Sequence, residues 1–293
     1  MFDAKQVKSK AQAMRRDIVA SITAAGSGHP GGSLSATDIL ATLYFGEVLN
    51  HRPEEPSWPE RDRFILSKGH AAPVLYAALA HAGYFPVEEL TSLRKFGSRL
   101  QGHPDMHKLP GVEVSTGSLG QGLSIAAGLA LALRNQGSQA QVFVLLGDGE
   151  LQEGQVWEAA MFAAHQRLGN LIAIVDNNNL QIDGQVEEVN SLGDIAAKFS
   201  AFGWQAQTVE GHEIAALKSA LDAAAAHSAG PAVLIASTVK GKGVSFMENQ
   251  CGWHGKAPSQ EQCDSALLEL GQLEQLAELE QLEQLEQLTE VGA

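Results

Sequence analysis

Cysteine is scarce: two residues in 293, Cys251 and Cys263, neither with a metal-type partner such as a second cysteine in CxxC spacing. A disulfide framework is thereby excluded, and both read as free thiols. No stretch approaches the ~18 uninterrupted apolar residues of a membrane span, and the opening MFDAKQVKSKAQAMRRD lacks the apolar segment and small-residue cleavage site of a secretory signal. The chain reads as cytoplasmic, with no membrane as partner. Basic residues are also few, 20 against 34 acids for a net charge of −14. Nucleic-acid backbones demand clustered Lys and Arg, so that partner class is excluded as well. Nine of the acids follow Lys256, the last basic residue, which makes the acidity partly a property of the tail.

What is present is an ordinary globular composition, 44% hydrophobic, arranged in alternation. Short apolar runs at 63–67, 142–146, 171–175, 203–209 and 232–238 read as strands. Helical periodicity fills 34–49, 71–82, 121–134, 155–168 and 212–227. This pattern predicts an α/β fold of three layers, a mostly parallel sheet flanked by helices on both faces. Ligands of such sheets sit beyond the carboxyl ends of the strands. The domain is placed at 1–262 and an acidic Leu/Gln/Glu low-complexity tail at 263–293. Leucine recurs there every third residue, which winds it around a helix instead of forming one seam. A frayed helix and a partner-binding helix both remain open for the tail.

The run VFVLLGDGE (142–150) stops at an acid between two glycines, and a buried carboxylate is costly unless a cation meets it. Thirty residues after Asp148, at the end of the next apolar run, stands Asn178 in LIAIVDNNNLQIDG. One helix separates them, so a strand–helix–strand unit carries an oxygen ligand at each strand end. Asp148, Asn178 and one main-chain carbonyl would give Mg²⁺ three protein oxygens, with room for two diphosphate oxygens and a water. Gly147 and Gly149 let the backbone approach that diphosphate closely. Alone, Gly-Asp-Gly is also a common tight turn; the paired Asn makes the signature specific.

These residues resemble the transketolase family, thiamine diphosphate enzymes, in their diphosphate-binding half. The likeness extends through SGHPGGSLSATDIL (27–40), DRFILSKGHAAPVLYAAL (62–79), GHP (102–104), STGSLGQGLSIAAG (115–128), QIDG (181–184), VEGH (209–212) and GWHGKAP (252–258), roughly residues 10–260. It implies a thiamine diphosphate-binding fold and assigns Asp148, Asn178 and the carbonyl of Leu180 to Mg²⁺, for which Ca²⁺ or Mn²⁺ can substitute. It implies cofactor contacts from His70, the turn Gly117-Ser118-Leu119, Gly149, Asn178 and His254. His29, His103 and His254 are implied to face the sugar, His29 and His254 helping to deprotonate a hydroxyl, a task suited to imidazole. Ser118 stands where the family usually has proline, so the loop is expected to be looser. KGKG (240–243) is either a solvated turn or a lining of the cofactor entrance. The other histidines, at 51, 81, 107, 165, 212 and 227, are read as surface or satisfied core residues.

In this family the glutamate that activates the cofactor and the pyrimidine pocket lie in a second α/β domain, for which the present sequence has no counterpart. The resemblance therefore implies a two-chain transketolase, α₂β₂, in which a C-terminal subunit supplies the pyrimidine-binding half. Glu153 and Glu158 match acids at the family's subunit contact; equally they are ordinary acids near a helix N-terminus. The expected reaction is transfer of a two-carbon ketol unit from a ketose to an aldose, both as small sugar phosphates. Two alternatives are the α subunit of a 2-oxoacid dehydrogenase-type enzyme, which shares the Asp/Asn signature, and a Mg²⁺-diphosphate binding module without catalysis.

Overall fold

The computed structural model describes residues 2–273. Five strands form one wholly parallel sheet: β1 (Arg63–Leu66), β2 (Val142–Gly147), β3 (Leu171–Asn177), β4 (Gln205–Glu210) and β5 (Ala232–Ser237), in the order β1-β2-β3-β5-β4. Side chains alternate between the two faces, as the period of a strand requires. Phe64, Phe143, Leu145, Ile172, Ile174 and Leu234 pack into one core; Ile65, Val142, Val144, Leu171, Ala173 and Val233 pack into the other. Helices cover both faces, so the central strands are buried on either side and read as unbroken apolar runs. β4, at the edge, is polar (QAQTVE) and buries only Val209.

The first core is closed by α1 (Ala4–Ala25), α3 (Thr37–Phe45), α4 (Ala72–His81) and α9 (Ile214–Ala226), with the short α2 (Pro30–Ser35) leading into α3. The second is closed by α5 (Gln121–Asn135), α6 (Gly154–His165) and α8 (Ile195–Ala201), joined by the one-turn α7 (Val186–Asn190). Helix α1 was not among the elements expected from the sequence. Its cap is Asp3, whose carboxylate accepts the N–H of Lys5 (2.9 Å), and it ends at Gly26 in the left-handed region, φ +63°. It buries Val7, Ala11, Met14, Ile18 and Ile22 at helical spacing, at roughly 1.5–3 kcal/mol per large aliphatic side chain.

Residues 260–273 are helical, and Cys263, Ala266 and Leu270 lie in the first core. The boundary drawn at 262/263 thus falls inside an element that packs on the body. The remainder of the tail, from 274, lies outside the described residues. Cys251 and Cys263 are free thiols. Among the described residues no helix is long and apolar enough to cross a membrane.

A buried ion cluster fixes α1 in place. Arg15 on α1 makes a two-pronged contact with Asp38 on α3, at 3.1 and 2.5 Å, and its Nε donates to the carbonyl of Lys242. His212, from the VEGH turn after β4, lies 2.7 Å from the same carboxylate through Nδ1, while its Nε2 accepts the N–H of Val239. Burial alone would raise the Asp38 carboxyl, but the Arg15 charge and the His212 hydrogen bond outweigh it and hold the group below its ordinary value.

Candidate functional site

The register of the sheet pairs Gly147 with Asp176, so the chain leaves β2 and β3 at the same level. Asp148 follows Gly147, and its carboxylate accepts the N–H of Gly149 (2.7 Å) and of Asn179 (2.5 Å). The second bond bridges the two strand ends, which places Asp148 against Asn178-Asn179-Leu180. Asn178 is buried; its Oδ1 accepts the N–H of Leu180, and its amide nitrogen faces Asp176 and Ser35. The two strand ends that carry these oxygens, thirty positions apart, are thereby tied together.

The carboxylate that ends VFVLLGD is undercompensated. Burial, and then the negative charge of Asp176, push Asp148 up to about 6 despite its two backbone hydrogen bonds. Asp176 itself is satisfied: Lys68 and Thr238 bond it directly, and Ser35 Oγ donates at 2.5 Å. Burial would raise its carboxyl, yet Lys68 holds it below the ordinary range. Asp148 has no such ion-pair partner among the described residues. Nor do the described residues include any group of three His, Cys, Asp or Glu side chains placed to hold a metal. What exists is one carboxylate, one amide and one main-chain carbonyl, a donor set that suits a hard cation bringing further oxygens on a phosphate.

Two buried lysines supply the cationic counterpart, and neither was singled out from the sequence as an individual residue. Lys240 opens the KGKG segment; its Nζ donates to the carbonyl of Leu180 (3.0 Å) and faces Nδ1 of His254 (3.0 Å). Burial, then the nearby charge of Lys68, pull its ammonium down to about 8. Lys68 follows β1 and also donates to Gly32 O at 2.9 Å. The only cue in the sequence was a lysine beside glycine just past a strand end. Lys68 is committed to Asp176, which leaves the Lys240 ammonium, bonded only to a carbonyl and an imidazole, as the cation that can meet a polyanion such as a diphosphate.

Above the lysines stand His29, His70 and His254, with ring centroids 5.1, 5.5 and 5.1 Å apart. Burial first, and neighbouring cations second, lower His29 to about 4, His254 to about 3 and His70 to about 2. All three are neutral imidazoles at working pH, each able to accept a proton or a hydrogen bond. Nδ1 of His29 is buried without a protein partner, which marks it for a ligand. His103 joins them through the 117–119 turn: a Cβ on Gly117 would lie 3.2 Å from its ring. A Cβ on Gly69 would strike the N of Gly117 at 2.8 Å, so only glycine lets the His70 turn nest against this one.

Ser118 is exposed and Leu119 half-buried on that turn. Neither side chain makes a hydrogen bond to the histidines, so the turn meets a ligand through its own backbone groups. Its base is tied by Glu150, a buried residue not marked in the sequence. The Glu150 carboxylate accepts from Ser67 Oγ (2.5 Å), the N–H of Gly120 (2.9 Å) and the N–H of Gly147 (3.0 Å). One acid thereby locks together the loops after β1 and β2 and the start of α5. Glu153 and Glu158 are exposed, as are Met161 and Phe162 one turn further along α6.

The family model described as "Transketolase, thiamine diphosphate binding domain" matches residues 6–281. The chain belongs to the transketolase family. It is 44% identical over 264 residues to the 6-deoxy-6-sulfo-D-fructose transketolase subunit SqwG of Clostridium sp. (strain MSTE9), covering 90% of this chain and 96% of that one. It is 43% identical over 266 residues to one of the subunits of the apulose-4-phosphate transketolase of Actinobacillus succinogenes, again covering 90% and 96%. Among solved structures, the transketolase of Campylobacter jejuni superposes with a TM-score of 0.84 at 34% identity, covering 91% of this chain and 43% of that one. The chain thus spans less than half of a one-chain transketolase and nearly all of the subunit-type relatives. These relatives do not favour the 2-oxoacid dehydrogenase alternative.

Proposed function

We propose that this chain is the diphosphate-binding subunit of a two-chain transketolase that moves a two-carbon ketol unit from a ketose phosphate to an aldose phosphate. The observation that carries the reading is the convergence of Asp148, Asn178, Leu180 O, Lys68 and Lys240 beneath three neutral histidines. The match of this chain, over nearly the whole length of relatives named as transketolase subunits, supports a separate partner. Thiamine diphosphate, when bound, supplies the carbanion chemistry.

This chain's residues hold and orient. Asp148, Asn178 and the carbonyl of Leu180 would ligate Mg²⁺, with Ca²⁺ or Mn²⁺ as substitutes, and Gly149 would approach the diphosphate. Lys240 would offset phosphate charge while Lys68 stays on Asp176, and His70 with the Gly117-Ser118-Leu119 turn would line the cofactor. His29 and His254, neutral and close together, would take a proton from a substrate hydroxyl, and His103 would hold the sugar from the other side. The C-terminal subunit would contribute the pyrimidine pocket and its glutamate. For the α₂β₂ assembly in the cytoplasm that we infer, α6 offers a self-contact face in which exposed Met161 and Phe162 sit beside Glu158.

The test is co-purification of the partner followed by assay with thiamine diphosphate and Mg²⁺. Ketol transfer from xylulose 5-phosphate should require both chains, and pyruvate should not serve as donor. Turnover by this chain alone would overturn the split-subunit reading. Tight cofactor binding by the pair, without turnover of any sugar, would favour a binding module.

A further inference from the structure

The KGKG segment (240–243) serves two places. Lys240 reaches Leu180 O and His254 in the site described above. Two residues on, the carbonyl of Lys242 accepts from Arg15 Nε (3.2 Å), and Lys242 lines a separate cavity of about 460 Å³. Lys8, Gln12 and Arg15 border it from one face of α1, at positions i, i+4 and i+7, and Glu269, Gln272 and Leu273 from the helix of residues 260–273. No residue of the cofactor site is among those that line it.

The charges around this cavity do not all cancel in pairs. Three cations, Lys8, Arg15 and Lys242, stand against three acids, Asp38, Glu248 and Glu269. Arg15 is spent on Asp38, and Lys242 faces Glu248 at 3.4 Å. Lys8 makes no hydrogen bond or ion pair with any of the described residues. Glu269 meets no cation among them either; its carboxylate accepts only the N–H and hydroxyl of Ser245, at 2.7 and 2.8 Å. One charge of each sign is thus left over, on opposite helices and too far apart to pair. Beside Lys8 on α1, Oε1 of Gln12 is buried without a hydrogen-bond partner, a costly state for an amide oxygen.

We propose that this cavity binds a free amino acid with an apolar side chain: its carboxylate on Lys8, its ammonium on Glu269 and Gln12 Oε1, its side chain against Leu273 and the methylene stems of the lysines. A sugar phosphate is the wrong shape of charge, since a dianion would meet Glu248 and Glu269 with Lys8 as the one unpaired cation among the described residues. Arg15 and Lys242 join the cavity to the segment that carries Lys240, so an occupant that holds this segment also holds Lys240 at Leu180 and His254. The amino acid is therefore an effector that tightens cofactor binding. The effector role rests on the transketolase reading; the binding itself does not.

The experiment titrates the full chain with L-leucine while the side-chain amide of Gln12 is followed by NMR. A saturable shift with a dissociation constant in the millimolar range or below is expected, roughly 1 mM. Two probes with the same side chain and one charge each, 4-methylpentanoate and 3-methylbutylamine, should bind at least about 10-fold more weakly. No saturable shift with leucine, or equal binding of leucine and either analogue, would overturn the proposal, and this comparison needs no variant. Lys8→Gln and Glu269→Gln should each weaken leucine by about 10-fold; leucine binding unchanged in both would also overturn it. In the two-chain enzyme, saturating leucine should lower the thiamine diphosphate concentration that gives half-maximal activity by about 5-fold in the wild type and not in K8Q. Leucine binding without that change would overturn the effector role. A wild-type pair that transfers no ketol unit from any donor would refute the enzyme reading, while the titration still decides the amino acid site.

Discussion

Two buried charge clusters among the described residues differ: one is satisfied within itself and the other is not. In the first, Arg15, Asp38 and His212 satisfy one another: both prongs of the guanidinium are met, both nitrogens of the imidazole are engaged, and the carboxyl is held below its ordinary value. In the second, at the carboxyl ends of β2, β3 and β5, Asp148 is pushed up, Lys240 and three histidines are pushed down, and an imidazole nitrogen is buried without a partner. A closed cluster stabilises the fold. An open one is held in place at a cost that a ligand of the right charge can remove, which is the physical mark of a binding site.

The sharpest way to break this contrast is to delete an acid from each cluster. Asp38→Ala leaves Arg15 buried and unpaired and should destabilise the protein by about 3–5 kcal/mol, a fall in melting temperature of roughly 10 °C. Asp148→Asn should cost far less in the absence of cofactor, because the uncompensated charge it removes offsets the one backbone N–H acceptor it gives up. The same substitution should weaken Mg²⁺-dependent binding of thiamine diphosphate by about 100-fold or more. Calorimetry and thermal melts on both variants check the pair; if D148N melted far below the wild type, the second cluster would be structural.

How much of this was legible beforehand follows from which signals are local. Strands β1, β2, β3 and β5 announce themselves as short apolar runs because a parallel sheet covered on both faces has no polar side to show there, whereas edge strand β4 is polar. Asp148 and Asn178 were legible because a strand–helix–strand unit fixes where its two strand ends meet. α1 was passed over although Val7, Ala11, Met14, Ile18 and Ile22 mark one face, because lysines and arginines crowd the segment and Arg15 sits within that face. Its burial makes sense only with Asp38, whose approach is a matter of tertiary packing. Lys68, Lys240 and Glu150 share the same difficulty: charged residues are ordinarily exposed, and nothing in their neighbours along the chain names the distant partner.

A smaller effect concerns pH. In the unfolded chain histidine titrates near 6.5, whereas burial and nearby cations hold His29, His70 and His254 at about 4, 2 and 3 in the fold. The unfolded state therefore takes up protons first as pH falls, and stability contributed by these groups is fully present above 6.5 and is lost progressively below it. Melts of the cofactor-free protein between pH 7 and 4 should show that decline, and His70→Gln should flatten it. Asp38 adds a separate loss at lower pH: its folded value lies below its unfolded one, so its stabilisation is present above the unfolded pKa and disappears as pH falls through the folded value. D38N should remove that lower limb and leave the histidine limb intact, so a single merged transition insensitive to either substitution would contradict the division into two clusters.

The finest distinction lies in the loop that borders the open cluster. Ser118 follows Gly117 and stands where the transketolase family usually has proline. Ser118 is exposed, and its N–H enters no hydrogen bond among those of the described residues. Ser118→Pro should therefore stabilise the cofactor-free protein by about 0.4–1 kcal/mol, by removing freedom from the unfolded chain and not by adding a contact. Melting temperature should rise by roughly 1–4 °C, with the Mg²⁺-dependent affinity for thiamine diphosphate unchanged within about 2-fold, because the groups the turn offers a ligand are those of the backbone. A drop in cofactor affinity at raised stability would show that the looseness of this turn is itself part of how the open cluster admits its ligand.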